Sequence, residues 1–171
     1  GVRDPYWVHR ALREGGLSRM SRIVSDIVDT YMFRRINART QFLVVRRRSE
    51  TEAEDIWQSI HSKVLAGETA LDAARRDVEQ TTGVVPVRFF TADYIGQFYD
   101  AVSDTIVLAP TLAAQVAAKS KVSVSAEFSD YAWCDLEETT ARLRWSSHRW
   151  AVRHIYDVIA MGGDEAEMYA I

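Results

Sequence analysis

Arginine carries most of the positive charge of this chain. Of its 21 lysine and arginine residues, 18 are arginine. A guanidinium group binds phosphate through two parallel hydrogen bonds, whereas an ammonium group acts as a point charge. The runs Arg34-Arg35 and Arg46-Arg47-Arg48 therefore predict a local phosphate-binding patch, with Arg46 and Arg48 as candidate ligand-binding residues. The alternative is a solvated surface in a chain whose arginine content reflects GC-rich coding.

Composition limits the classes of partner. The net charge of −3 argues against bulk, non-specific binding of nucleic acid. With 171 residues, 47% of them apolar, one globular domain is expected. No apolar run approaches the roughly 18 residues of a membrane-spanning helix, so no membrane partner is expected. The single cysteine, Cys134, excludes a disulfide within the chain and predicts a buried thiol.

The first residue is Gly1 rather than methionine. From this we expect a truncated, processed or tagged terminus, in which a targeting segment would be missing from view. We expect an intracellular protein, and the terminus leaves the choice between cytoplasm and mitochondrion open.

Residues 62–84 predict a loop followed by one helix, and we call this stretch the box segment. Thr69 is an N-cap or first-turn residue, and Gly83 ends the helix because glycine adopts the left-handed conformation without steric strain. Between them, small and apolar residues recur at a helical period. These residues are Ala70, Leu71, Ala73, Ala74, Val78 and Thr81.

The box segment resembles the Nudix box. That pattern is Gly, five residues, Glu, seven residues, then Arg-Glu-apolar-any-Glu-Glu-any-Gly-apolar. With Gly83 set on the last glycine, Glu68 falls on the first glutamate and Arg76 on the arginine. Val78 and Val84 fall on the two apolar positions. The resemblance implies an α+β chain with the Nudix fold, an α/β/α sandwich whose mixed sheet lies between the box helix and the C-terminal helix.

The box segment departs from the pattern where the family binds metal. Ser62 replaces the first glycine, Asp77 replaces the glutamate after the arginine, and Gln80 and Thr81 replace the Glu-Glu pair. The family attacks a diphosphate bridge with water and uses Mg²⁺ held by box carboxylates, which suit a hard cation. Only Asp77 remains an anion on that helix face, so the resemblance implies an eroded, degenerate metal site.

A second acid lies outside the box segment. Residues 127–133 resemble the Glu-His-any-any-Tyr-any-Trp segment of the branch that hydrolyses dATP and dihydroneopterin triphosphate, with Phe128 in place of histidine. In that branch the glutamate reaches the metal site. Asp77 and Glu127 are therefore the candidate catalytic and metal-binding residues, with Mg²⁺ as the implied cofactor.

The remaining candidates carry two interpretations each. The resemblance places Glu68 and Arg76 in the catalytic region. There they either fix the geometry of the loop and helix, by pairing with each other or with neighbours, or contact the ligand directly. Lys63 binds phosphate or is a surface lysine. Trp57 stacks on a base or packs in the core. His61 has no metal-ligand spacing with other residues of the segment, so we expect an ordinary solvated loop histidine.

The order of elements follows from periodicity and turn residues. Residues 21–34 and 41–48 predict an opening hairpin, residues 56–60 a short strand, and residues 84–99 and 104–118 two further strands. A short helix is predicted at residues 136–143 and a longer one at residues 145–159. The predicted domain is 21–160, preceded by an extension at 1–20 and followed by a loose, acidic tail at 161–171. The aromatic extension packs onto the domain or docks a protein partner.

Two functions are consistent with these observations. In the first, the chain is a Nudix-fold subunit of a larger assembly that binds a nucleotide or a 5′-phosphorylated RNA end, with weak or no hydrolysis. In the second, it is a Mg²⁺-dependent pyrophosphohydrolase of nucleoside triphosphates or RNA 5′-triphosphates that uses Asp77 and Glu127.

Overall fold

The computed structural model describes residues 20–48 and 56–171. The predicted N-terminal extension, apart from its last residue, and most of the charged loop before residue 56 lie outside the described residues. None of the helices in the two described ranges is long and apolar enough to cross a membrane.

Eight strands, four α-helices and one π-helical turn make up the described part of the chain. In order they are β1 (Arg22–Val24), β2 (Ile27–Ile36), β3 (Arg39–Arg47), β4 (Ile56–Gln58), β5 (Ile60–Lys63), α1 (Ala70–Thr82), β6 (Arg88–Asp100), β7 (Thr105–Gln115), β8 (Phe128–Cys134), α2 (Leu136–Arg142), α3 (Ser146–Ile155), the π-helical turn (Tyr156–Ala160) and α4 (Asp164–Glu167).

The strands form one mixed sheet, as predicted. β7 runs parallel to β1 and β2 and antiparallel to β6, while β3 runs antiparallel to β2, β4 and β8. The β2–β3 hairpin turns at Asn37 and Ala38, whose φ angles are 49° and 62°. Two central residues with positive φ match the twist of a two-residue hairpin, so the predicted turn is confirmed.

Two apolar cores lie on opposite faces of the sheet. On one face, Val28 and Met32 of β2 pack with Val78 of α1. On the other, Phe33 of β2 packs with Ile155 of α3. Alternation along β2 sends successive side chains to opposite faces. The sheet therefore lies between the box helix and the C-terminal helices, which confirms the α/β/α sandwich.

The segment before the box helix pairs with two different strands in turn. β4 pairs with the end of β3, where Val45 lies opposite Gln58. β5 then pairs with the start of β2, where Asp29 lies opposite His61. This register decides which side chains meet on the α3 face.

Several elements differ from the sequence-based prediction. The strand predicted for residues 21–34 is divided into β1 and β2, and the one predicted for residues 56–60 is divided into β4 and β5, which continues to Lys63. The helix predicted for residues 145–159 is α-helical only to Ile155 and continues as the π-helical turn. The prediction of a loose C-terminal tail is wrong. Thr91 donates to the Tyr169 carbonyl (2.9 Å), Ile171 donates to the Phe89 carbonyl (3.0 Å), and Ala166 is buried. The tail satisfies backbone groups of β6 that would otherwise lack partners.

Candidate functional site

The box helix begins and ends where its sequence predicts. The Thr69 hydroxyl accepts the Asp72 amide (3.1 Å) and the Asp72 carboxylate accepts the Thr69 amide (3.0 Å), which makes a capping box. At the other end Gly83 has φ 68° and donates to the Glu79 carbonyl (2.8 Å). Both ends of α1 are thus held by local hydrogen bonds that follow from residue type.

Arg76 connects the acids of the box segment. Its Nε and Nη2 atoms donate to the two oxygens of Glu68 at 2.7 and 2.9 Å, and Nη2 also donates to the Lys63 carbonyl at 2.8 Å. Its Nη1 atom donates to Asp77. Hydrogen bonds from Arg76 and the Leu65 amide hold the pKa of Glu68 below its usual range. The predicted pairing of Glu68 with Arg76 is therefore observed.

Glu127 approaches the C-terminal end of the box helix. The Ser125 amide donates to the Thr81 carbonyl (2.9 Å), and the Ser125 hydroxyl lies 3.5 Å from Glu127 Oε1. The other carboxylate oxygen of Glu127 is 4.0 Å from Nη2 of Arg47, and about half of each of these two side chains is exposed. The chain path thus places this acid near the helix end while keeping it in solvent beside an arginine.

The other predicted ligand-binding residues lie on β3, β4 and β5, apart from Arg48, which directly follows β3. Arg46 donates to the Ser129 hydroxyl (3.0 Å), and Arg48 donates to the Ala126 carbonyl (2.9 Å). The guanidinium carbons of Arg46 and Arg142 lie 5.9 and 4.5 Å from the ring centroid of Trp57. Trp57 is partly buried against the α3-side core. Trp57 thus lies on the α3 side of the sheet, whereas Arg76 and Asp77 lie on α1. The exposed Lys63 ends β5, and its carbonyl accepts from Arg76.

A third group, absent from the sequence-based candidates, lies on the α3 face of the sheet. We call Asp29, His61 and His148 the Asp29 cluster. The prediction that His61 is a solvated loop histidine is wrong, because His61 lies on β5 with Nδ1 2.5 Å from Oδ1 of Asp29. His148 on α3 places Nε2 3.8 Å from Oδ2 of Asp29, and the two imidazole rings are 4.9 Å apart.

Burial shapes the electrostatics of the Asp29 cluster. Asp29 is only 5% exposed. Burial lowers the pKa of His148, the His61 ring lowers it further, and Asp29 opposes both. Burial and the charge of Asp29 raise the pKa of Tyr31 well above its usual value. The cluster is therefore a buried polar site on an otherwise apolar face. Its one signal in the sequence is an aspartate within the apolar strand β2.

Comparison with known proteins decides the family. The model of the NUDIX domain matches residues 28–154, which is most of the chain. The chain belongs to the NUDIX domain family. No curated protein sequence matches it.

Solved Nudix structures share the fold at low identity. A C. elegans Ap4A hydrolase in a binary complex has a TM-score of 0.65 at 16% identity, covering 78% of this chain and 96% of its own. The E. coli dihydroneopterin triphosphate pyrophosphohydrolase has a TM-score of 0.63 at 19% identity, with coverage of 79% and 96%. The NUDIX domain of Shewanella oneidensis NrtR with ADP ribose has a TM-score of 0.63 at 15% identity, with coverage of 90% and 98%.

The Nudix family implies a divalent cation, and the donors of the box segment fit Mg²⁺ poorly. Asp77 already accepts a hydrogen bond from Arg76, Gln80 is exposed and neutral, and Thr81 is only 6% exposed. Mg²⁺ requires several hard oxygen ligands in octahedral geometry. Among residues 20–48 and 56–171, the box acids form no group of three close ligands. One oxygen of Asp77, the acid at the family's metal-binding position, is therefore paired with an arginine.

Proposed function

We propose that this Nudix domain binds a nucleotide or a 5′-phosphorylated RNA end as a subunit of a larger assembly, with weak or no hydrolysis. The observation that carries the proposal is the pairing of Asp77 with Arg76. A guanidinium held by two carboxylates and a backbone carbonyl neutralises the acid that the family would use for metal. Phosphate binding by Arg46 and Arg48 needs no metal and is compatible with this geometry.

Similar structures support a phosphate-containing ligand. They include proteins named for Ap4A and for dihydroneopterin triphosphate, and one domain crystallised with ADP ribose. All three compounds contain linked phosphates, and arginine binds phosphate oxygens bidentately. The proposed ligand class for this chain is therefore a linked phosphate on a nucleoside or an RNA end.

Exposed apolar side chains support the assembly part of the proposal. Ile23 lies opposite Ile106, and Ile106 lies opposite Tyr99, on neighbouring strands. Their exposed fractions are 65%, 37% and 57%. Contiguous apolar surface on a domain is typical of contact with another chain. Amide exchange at these three residues is expected to be slower in an assembly purified from cells than in the isolated chain, and equal exchange would remove this support.

A specific contact also favours the alternative, a pyrophosphohydrolase that uses Asp77 and Glu127. The hydrogen bond between Ser125 and Thr81 holds the loop of Glu127 against the end of the box helix. This acid could then complement Asp77 when a phosphate ligand is present. The two functions differ in turnover, so an activity assay separates them.

The assay uses the full chain with Mg²⁺ or Mn²⁺ and a panel of nucleoside triphosphates and 5′-triphosphate RNA. Release of phosphate or pyrophosphate is measured beside binding of labelled RNA with a 5′-triphosphate or a 5′-hydroxyl. We expect tighter binding of the triphosphate end and no turnover above background. Arg46→Ala and Arg48→Ala should weaken that binding, whereas the exposed Arg153→Ala control should not. Turnover that Glu127→Gln abolishes would overturn the proposal.

A gain-of-function variant tests the box segment itself. Gln80→Glu places a carboxylate three residues after Asp77, on the same helix face. We expect this variant to gain turnover that the natural chain lacks. The control is Glu79→Gln, which changes one charge at the exposed neighbouring residue and should remain inactive.

A further inference from the structure

We propose that Asp29, His61 and His148 form a site for one divalent transition-metal ion of the zinc class. The site lies on the α3 face of the sheet, opposite the box helix. This proposal goes beyond the proposed function and stands independently of it, because it involves neither Arg76 and its paired acids nor Arg46 and Arg48.

The three side chains already converge. The candidate ligand atoms of Asp29, His61 and His148 all lie within 4.8 Å of one another. Two ligands about 2.0–2.2 Å from a tetrahedral ion are about 3.3–3.6 Å apart. Small side-chain rotations are therefore enough to bring the three atoms onto one ion, with the short contact between Asp29 and His61 opening to admit it.

Three separate elements supply the ligands. The antiparallel register of β2 and β5 puts Asp29 opposite His61. His148 shares one face of α3 with Ala151, Val152 and Ile155, which are buried against the sheet. The packing that docks α3 on the sheet thus also aims the second imidazole at the carboxylate. Each oxygen of Asp29 faces a different ring.

A buried hydroxyl beside Asp29 supports a further ligand at this place. Thr111 of β7 lies opposite Asp29 of β2, so their side chains share one face of the sheet. The Thr111 hydroxyl is buried and has no hydrogen-bond partner within the described residues. Leaving a buried hydroxyl unpaired is unfavourable, and a water molecule bound to a metal ion here would supply the partner.

Gly96 leaves room beside the carboxylate. A Cβ atom at this position would lie 3.6 Å from Oδ2 of Asp29 and 3.6 Å from the Ala109 carbonyl oxygen. The lack of a side chain opens the space next to the oxygen that faces His148. This space suits a fourth ligand such as water.

The donor set selects the class of ion. Two imidazole nitrogens with one carboxylate suit Zn²⁺ and the neighbouring first-row ions, whereas Mg²⁺ prefers oxygen ligands alone. Three protein ligands leave one tetrahedral position open. Within the described residues, Asp29 forms ion pairs with the two imidazoles and with no arginine or lysine.

The test is a zinc titration of the full, untagged chain after chelator treatment, followed by calorimetry in competition with a chelator. We expect one Zn²⁺ per chain. Asp29→Asn, His61→Gln and His148→Gln should each weaken binding by more than the roughly 10–100-fold that loss of an outer-shell partner causes. His154→Gln is the matched control, because His154 lies on α3 beside Tyr94 and outside the cluster.

A second readout uses the natural chain, so that the test does not depend on variants that fail to fold. Co²⁺ bound to the natural chain should show the intense visible absorption of a four-coordinate site. Absence of Zn²⁺ binding, a weak octahedral Co²⁺ spectrum, or affinity unchanged in the three folded variants would each overturn the proposal. Equal loss in His154→Gln would do the same.

Discussion

The box segment and the Asp29 cluster lie on opposite sides of one sheet and hold their acids in opposite ways. In the box segment, Arg76 binds both Glu68 and Asp77, and Glu127 stands in solvent beside Arg47. On the α3 face, Asp29 is buried and its two oxygens face imidazole rings. Each region therefore contains carboxylates, but their partners differ.

The difference in partners decides what each region can do. A guanidinium stays charged and has no lone pair for a metal, so it holds a carboxylate in a fixed pair. A neutral imidazole presents a nitrogen lone pair and joins a carboxylate in binding an ion. On the proposal made above, we therefore expect metal binding at the Asp29 cluster rather than at the substituted box segment.

The largest expected effect compares the two helices. Ile155→Ala on α3 should lower the free energy of unfolding by about 2–5 kcal/mol and weaken zinc binding, because α3 carries His148. Val78→Ala on α1 removes two methyl groups and should cost roughly 1.5–3 kcal/mol while zinc affinity stays unchanged. Both residues are fully buried. Urea unfolding and zinc titration give the two readouts, and equal loss of zinc affinity in both variants would break the comparison.

Zinc itself should stabilise the chain. Free Zn²⁺ at 100 times its dissociation constant should raise the free energy of unfolding by about 2.7 kcal/mol, since ligand binds only the folded state. Mg²⁺ at the same concentration should have no comparable effect. Urea unfolding of the natural chain and of Asp29→Asn checks this, and stabilisation that persists in the variant would place the ion elsewhere.

A smaller effect is confined to the start of the box helix. Thr69→Ala removes the hydroxyl that caps α1 and should lower the free energy of unfolding by about 1 kcal/mol. Thr69→Ser keeps the hydroxyl and should cost less. Zinc affinity should be the same in both variants, and a change in it would mean that the two regions are coupled.

The smallest effect depends on pH. Arg76 lowers the pKa of Glu68 in the folded chain, so this acid contributes stability above its unfolded pKa. That contribution is lost as pH falls through the lowered, folded pKa. Glu68→Gln should therefore be less stable than the natural chain at neutral pH, and the two should converge in acid. Urea midpoints across that range test this, and a constant difference at all pH values would contradict it.

Local signals explain why much of the fold was predictable. Thr69 and Gly83 mark the ends of α1 because caps depend on neighbouring residues alone. The hairpin turn at Asn37 and Ala38 has the same local origin. The pairing of Glu68 with Arg76 has a different origin, since the resemblance to the Nudix box, with its two interpretations, led to that expectation.

The Asp29 cluster was not predictable from local pattern. Asp29, His61 and His148 come from two strands and a helix, and they meet only through strand register and the docking of α3. A shift of one residue in β5 would turn His61 to the opposite face. The docked tail was missed for a related reason, since its partners on β6 are distant in sequence.

An anomalous difference map at the zinc edge tests the central claim most directly, using crystals of the full chain grown with one equivalent of Zn²⁺. The account predicts one peak, bounded by Asp29, His61 and His148 and about 2 Å from each ligand atom. A peak at Asp77 and Glu127 with none at the Asp29 cluster would contradict it, as would a map without a peak.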